Sequence, residues 1–165
     1  MQLRYLLIGC LCIFALAVMP AQAFTAKSLT VTLDASGNAQ ADMQYDLSFA
    51  EQAAIFFHAA NPATELQNAL QNNLDRPVTV TKADESSADV DISSFADVSQ
   101  SGSSSLITTP AFSFAHAQEE VRNEWYAPLI GANFAPRTTT IIFPDGYTAT
   151  YYNQISIPSV SHQVS

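Results

Sequence analysis

Three histidines, fifteen acidic side chains and six tyrosines are the groups in this chain with chemistry to offer, and their spacing narrows what that chemistry can be. His116 and Glu120 stand four residues apart, on one face of a helix. A transition metal held there would need one or two further ligands from elsewhere, so a solvated helix face is the simpler reading. Asp84, Glu85, Asp89, Asp91 and Asp97 form the densest acidic group. Asp89 and Asp91 share one face of a strand, where their oxygens can converge on a calcium ion. Calcium takes six to eight oxygens and the EF-hand spacing is missing, so the competing reading is an exposed hairpin kept in water by its charge. Carboxylates acting with His58 or His116 would suit a secreted hydrolase using general acid–base chemistry. No G-x-S-x-G, no H-E-x-x-H and no cysteine placed as a nucleophile accompanies them, so the sequence names no reaction.

The aromatic residues offer contact rather than catalysis. Trp125 falls on an apolar helical stripe with Phe114, Ala117, Val121 and Leu129 and reads as core. Tyr151 and Tyr152 are adjacent on a strand and must face opposite sides. The outward one of the two, beside Thr148 and Thr150, makes a contact surface for a protein or a glycan, because tyrosine is enriched at interfaces. Tyr126 and Tyr147 could extend such a platform.

Charge removes other partners. Six Lys and Arg against fifteen Asp and Glu leave a net charge of −9, and charged residues are only 13% of the chain. Nucleic acids and anionic membranes need a positive patch that displaces counterions, so neither is an expected partner. At this length one domain is expected.

The N-terminus carries a positive Arg4, an apolar run from Leu6 to Met19, and then Pro20, Ala21, Gln22 and Ala23. This is the layout of a secretory signal peptide over residues 1–23, with Ala21 and Ala23 as its A-x-A cleavage element. The apolar run falls short of the roughly 20 residues a membrane span needs. Leu7-Ile8-Gly9-Cys10 has the pattern of a lipoprotein box, but Cys10 and Cys12 lie inside the apolar run rather than after it, so both are expected to leave with the signal. The mature chain, 24–165, then has no cysteine and must rest on its core rather than on disulfides. It contains no second apolar stretch of spanning length and no N-x-S/T sequon. It is expected to be exported, extracellular or at the cell surface, without a membrane span.

Local periodicity sets the elements that must position these groups. Lys27–Leu33 and Ala39–Leu47 alternate around the turn cluster Asp34-Ala35-Ser36-Gly37-Asn38, which predicts an antiparallel hairpin. Ser48 and Glu51 have capping-box spacing ahead of a helix over 49–59. Asn61 caps a second helix, with Pro62 in its first position and Leu66, Leu70 and Leu74 four apart. Val78–Lys82 and Ala88–Phe95 form a second hairpin, and 99–105, a run of Ser, Gln and Gly, reads as a mobile loop. Leu106–Phe114 is strand-like, interrupted by Pro110, and the segment from Phe114 to Leu129 is an amphipathic helix. Thr138–Phe143 and Tyr147–Tyr152 pair through Pro144-Asp145-Gly146, and Ile155–Val160 adds a last edge strand open to pairing with another copy. Hairpins alternating with helices give an α+β fold: a mostly antiparallel sheet covered on one face by two to three helices, with its Thr, Asp and Gln face turned outward.

The A-x-A signal, the Gly37-Asn38-Ala39 turn exit, the Phe143-Pro144-Asp145-Gly146-Tyr147 turn and the acidic, cysteine-free mature chain give a layout that resembles small exported surface proteins of archaea, methanogens among them. That resemblance carries over no functional residue. Together these readings favour a noncatalytic exported domain of the cell envelope that acts through protein or glycan contacts and self-association. A secreted carboxylate–histidine hydrolase and a calcium or small-ligand module are the alternatives, and beyond that calcium no cofactor is expected.

Overall fold

A computed structural model of the chain describes residues 25–46, 62–74, 76–84, 86–116, 118–119 and 133–165. The signal segment with Ala21 and Ala23, the helix expected over 49–59 with its His58, and Glu85, Glu120 and Trp125 lie outside the described residues. The main sheet has six strands in the order β3-β4-β2-β1-β8-β9. They are β1 (Thr25–Leu33), β2 (Ala39–Asp46), β3 (Val78–Ala83), β4 (Ser87–Ile92), β8 (Thr138–Ile142) and β9 (Thr148–Tyr152). All neighbours are antiparallel except β1 and β8, which run parallel. A second sheet joins β11 (Ser161–Val164), β6 (Ser104–Thr108) and β5 (Asp97–Ser101), and a short ribbon joins β10 (Ser156–Ile157) to β7 (Phe112–Ser113).

The alternation of apolar and polar residues, carried into register, gives the main sheet two different faces. Val80, Val90, Ala41, Val31, Ile141 and Ala149 are successive partners across all six strands and form one apolar row. Ile141 is 0% exposed and Phe143, just beyond β8, is 1% exposed. Ile107 of β6 and Ile157 of β10 join the same core, together with half-buried Val98, Phe112 and Val164. Along β8 every second residue is buried because side chains alternate between faces.

The expected cover of two to three helices is therefore a misreading. Among the described residues strand accounts for 55% and helix for 12%, and the cover of the core is mostly strand. The physical reason lies in the serine-rich stretch. Instead of a mobile loop at 99–105, β5 and β6 form a hairpin that turns at Gly102, whose φ is +64°, and Val98 and Ile107 supply the buried side of an otherwise polar alternation. The strand expected over 155–160 is likewise split. Ser156 and Ile157 pair with β7, and the Val160 carbonyl accepts from the Thr109 N–H at 2.9 Å.

One helix is bounded among the described residues, α1 (Pro62–Leu74). Its Leu70 and Leu74 pack on the core. Its amides also serve the edge strand: Gln71 Nε2 donates to the Val78 carbonyl at 3.0 Å, and Val80 N–H donates to Gln67 Oε1 at 3.1 Å. The helical segment expected from Phe114 begins in place, with Gln118 N–H donating to the Phe114 carbonyl at 3.0 Å, and its continuation lies outside the described residues.

The β1–β2 turn is fixed from both sides. Asp34 accepts from the Ser36 N–H at 2.8 Å and from the Asn38 N–H at 2.9 Å. Gly37 has a φ of +83°, which glycine alone adopts at no steric cost, and its carbonyl accepts from the Ala96 N–H at 2.8 Å. A Cβ at this position would lie 2.3 Å from the Ala96 carbonyl oxygen, so the close approach of two backbones also demands glycine.

Candidate functional site

The outer face of the main sheet holds most of the residues singled out in the sequence. One row runs Lys82, Asp89, Asp42, Thr30, Thr140 and Thr150 across the six strands. A second runs Thr79, Asp91, Gln40, Thr32, Ile142 and Thr148, and a third brings Gln44, Ser28, Thr138 and Tyr152 together. The face is thus divided. Its β2–β4 half is acidic, and its β1–β8–β9 half has nine positions without a charge, chiefly threonine.

Of the expected contact residues, Thr148, Thr150 and Tyr152 stand on this uncharged half. Thr148 and Thr150 are exposed, and Tyr152 is 67% exposed. Tyr151 points the other way, half-buried against the core, so it belongs to the packing and not to the outer surface. Thr30, Thr32, Thr138 and Thr140 complete the surface and were missed as contact residues. The signal was present as Thr-x-Thr triplets at 30–32, 138–140 and 148–150, but which strands lie side by side cannot be read from one strand's pattern.

In the acidic half, Asp89 and Asp91 share the outer face, as their spacing implied. Asp89 is turned toward a residue that the sequence did not offer, Asp42 directly across the strand pair. The hydrogen bond between the two carboxyls, then burial, then the Asp42 charge raise the Asp89 carboxyl above its ordinary 3.8. Gln44 Nε2 donates to both Asp42 oxygens, at 2.9 and 3.2 Å. Asp84, in the β3–β4 turn, is held well below the usual carboxylate range by the Ser86 N–H, the Lys82 ammonium and the Ser87 N–H. Asp91 pairs in register with Gln40 and Thr79 and lines a shallow depression with Asp34, Leu33, Ile92 and Ser93. Among the described residues no group of three or more His, Cys, Asp or Glu side chains could hold a metal ion. The two carboxylates expected to converge on calcium sit two residues apart on the outer face of β4, Asp89 across from Asp42 and Asp91 across from Gln40 and Thr79.

His162, on β11, meets a carboxylate. Its Nε2 lies 2.7 Å from Asp145 Oδ2. Its ring stacks on Tyr147, with centroids 4.0 Å apart and planes 11° apart, and meets the Phe143 ring edge-on at 5.1 Å. The bond to His162, then the Tyr147 N–H, lower the Asp145 carboxyl. Among the described residues no serine, threonine or cysteine is hydrogen-bonded to the His162 ring. What it does is join the second sheet to the β8–β9 turn. His116 is exposed at the start of its helical segment, and the Glu120 it was matched with is outside the described residues.

Compared with protein families, curated proteins and solved structures, the chain matches none. Among the described residues no helix is long and apolar enough to cross a membrane.

Proposed function

We propose that this chain is an exported, noncatalytic domain of the cell envelope that works by contact, presenting the uncharged half of its outer sheet face to a neutral glycan. The observation that carries the reading is Tyr152, 67% exposed and in register with Thr138, in a patch free of charge on a chain of net charge −9. A tyrosine ring offers an apolar face to a sugar ring, and flanking threonine and serine hydroxyls both donate and accept hydrogen bonds. An acidic polymer would be repelled by the neighbouring Asp42, Asp89 and Asp91. The signal layout of residues 1–23 supports export, and intact mass of the native protein tests it: a chain beginning at Phe24 is expected.

The binding test is titration of the purified chain with neutral and acidic envelope polysaccharides, followed by calorimetry. A neutral polymer is expected to bind and Tyr152→Ala to weaken it at least about tenfold, since stacked aromatics dominate contact energies. Equal binding by the variant, or binding by none of the neutral polymers, removes the glycan reading. Capture of an envelope protein through the same face would redirect it to a protein partner.

A further inference from the structure

We propose that β9 pairs with β9 of a second copy, antiparallel and centred on Thr150, closing a two-fold dimer whose main sheets run on into one another. This goes beyond the glycan reading and stands on different atoms, the backbone edge rather than the side chains of the outer face. The Phe143 N–H donates to the Tyr147 carbonyl at 2.9 Å and the Asn153 N–H to the Arg137 carbonyl at 3.1 Å. Hydrogen-bonded and non-bonded pairs alternate along an antiparallel ladder, so Ala149 and Tyr151 also turn their backbone toward β8. Thr148, Thr150 and Tyr152 turn their N–H and C=O groups away from it, at the margin of the sheet.

Sheet edges are ordinarily guarded by charge, proline, bulges or a covering element, and the edges at β3, β5 and β11 are guarded. β3 carries Lys82 and a bulge, and its backbone is met by Gln67 and Gln71 of α1. β5 carries Asp97, and β11 carries His162 on Asp145. β9 reads Thr-Ala-Thr-Tyr-Tyr, without charge or proline and rich in strand-forming residues.

The sequence of β9 is also complementary to itself. With the axis at Thr150, Thr148 faces the second copy's Tyr152, and Thr150 faces Thr150. These three outward pairs exchange about six backbone hydrogen bonds. On the inner face Ala149 lies opposite the second copy's Tyr151, a small side chain against a large one. Antiparallel pairing also sets the end of the sheet bearing Arg137 against the end bearing Asp145, so the nearest charges are opposite in sign. The guarded β3 edge keeps the arrangement closed at two copies, because a fibre would need both margins of the sheet.

The test is sedimentation of the whole purified chain over a range of concentrations, with Thr150→Lys, Thr150→Glu and their equimolar mixture. The unsubstituted chain is expected to dimerise. Each variant places like charges at the axis and is expected to weaken dimerisation at least about tenfold, and the mixture to restore it. Position 150 is exposed, so neither change burdens folding. A monomer up to about 1 mM, unaltered dimerisation by a single variant, or a mixture that stays monomeric each overturns the proposal. Neutral-glycan binding that survives Tyr152→Ala undiminished while dimers persist would reject the glycan reading alone.

Discussion

Replacing Gly37 with alanine separates two costs that glycine avoids, and Gly146 supplies the control. Both residues have positive φ, +83° and +87°. An L-residue in the left-handed region costs about 1–2 kcal/mol, and this is all that Gly146→Ala should incur, since nothing lies within 4 Å of a Cβ built there. At Gly37 the new Cβ falls 2.3 Å from the Ala96 carbonyl oxygen and 3.0 Å from Val98 Cγ2. Backbone must therefore give way by about 1 Å to reach van der Waals contact. The displaced strand carries the Ala96 N–H to Gly37 carbonyl bond of 2.8 Å and the Ser94 N–H to Asn38 Oδ1 bond of 3.0 Å. Losing both adds about 2 kcal/mol. The totals are then about 3–4 kcal/mol for Gly37→Ala and about 1–2 for Gly146→Ala. At about 3–4 °C per kcal/mol for a domain of this size, thermal unfolding should fall by roughly 9–16 °C in the first variant and roughly 3–8 °C in the second. Equal losses in the two variants would refute the docking of the β1–β2 turn on residues 94–98.

The acidic pair has a pH signature. A carboxyl raised above 3.8 in the folded chain binds its proton more readily there than in the unfolded chain, so its contribution grows as pH falls from neutrality toward 3.8. Asp34, Asp84 and Asp145 are lowered instead, and their contribution is lost only as pH falls below 3.8. Asp42→Asn is expected to raise Tm at pH 7, with a gain over the unsubstituted chain that shrinks as pH falls toward 3.8; scanning calorimetry across that range checks it, and a gain constant with pH would count against the contact between the two carboxyls. His162→Ala removes the stack on Tyr147 and the bond to Asp145 and should cost about 1–3 kcal/mol in denaturant unfolding, whereas a loss under about 0.5 kcal/mol, the range of ordinary surface changes, would mean the clamp is slack. The Gln67→Ala, Gln71→Ala double variant bares the β3 edge, with an expected loss of about 2 kcal/mol and concentration-dependent aggregation by light scattering; a chain that stays dispersed would show that α1 covers the edge without those amides.

What the sequence displayed was local. The β1–β2 and β3–β4 hairpins, the Pro144-Asp145-Gly146 turn and α1 lie where period and turn chemistry put them, because each is settled by residues within a dozen positions of one another. The divided outer face was legible one strand at a time. Asp42 and Asp89 each point outward by alternation, but their meeting depends on the register between β2 and β4, and the threonine half depends on a parallel pairing of β1 with β8 across more than a hundred residues. The helix-covered architecture failed for a related reason. In the serine-rich segment, Val98, Leu106 and Ile107 are too sparse to signal a hairpin, and β5 and β6 become strands only when Val98 and Ile107 find the core. His162 escaped notice because its partner Asp145 is brought to it by the second sheet, not by spacing.

The two margins of the main sheet carry the functional argument further than any single side chain does. At β3 the chain spends a 13-residue helix placing two glutamine amides on backbone groups that would otherwise template another strand. At β9 it places no charge, no proline and no cover among the described residues. On a chain of net charge −9, the outer face is free of acidic residues across β1, β8 and β9. Neutrality in both the edge and the face next to it is what a surface for contact requires, since a single carboxylate at Thr150 would set like charges against each other across a two-fold axis and would oppose an apolar sugar face with a hydrated ion. The uneven distribution of charge, more than the presence of any one residue, is what the proposal of a contact surface rests on.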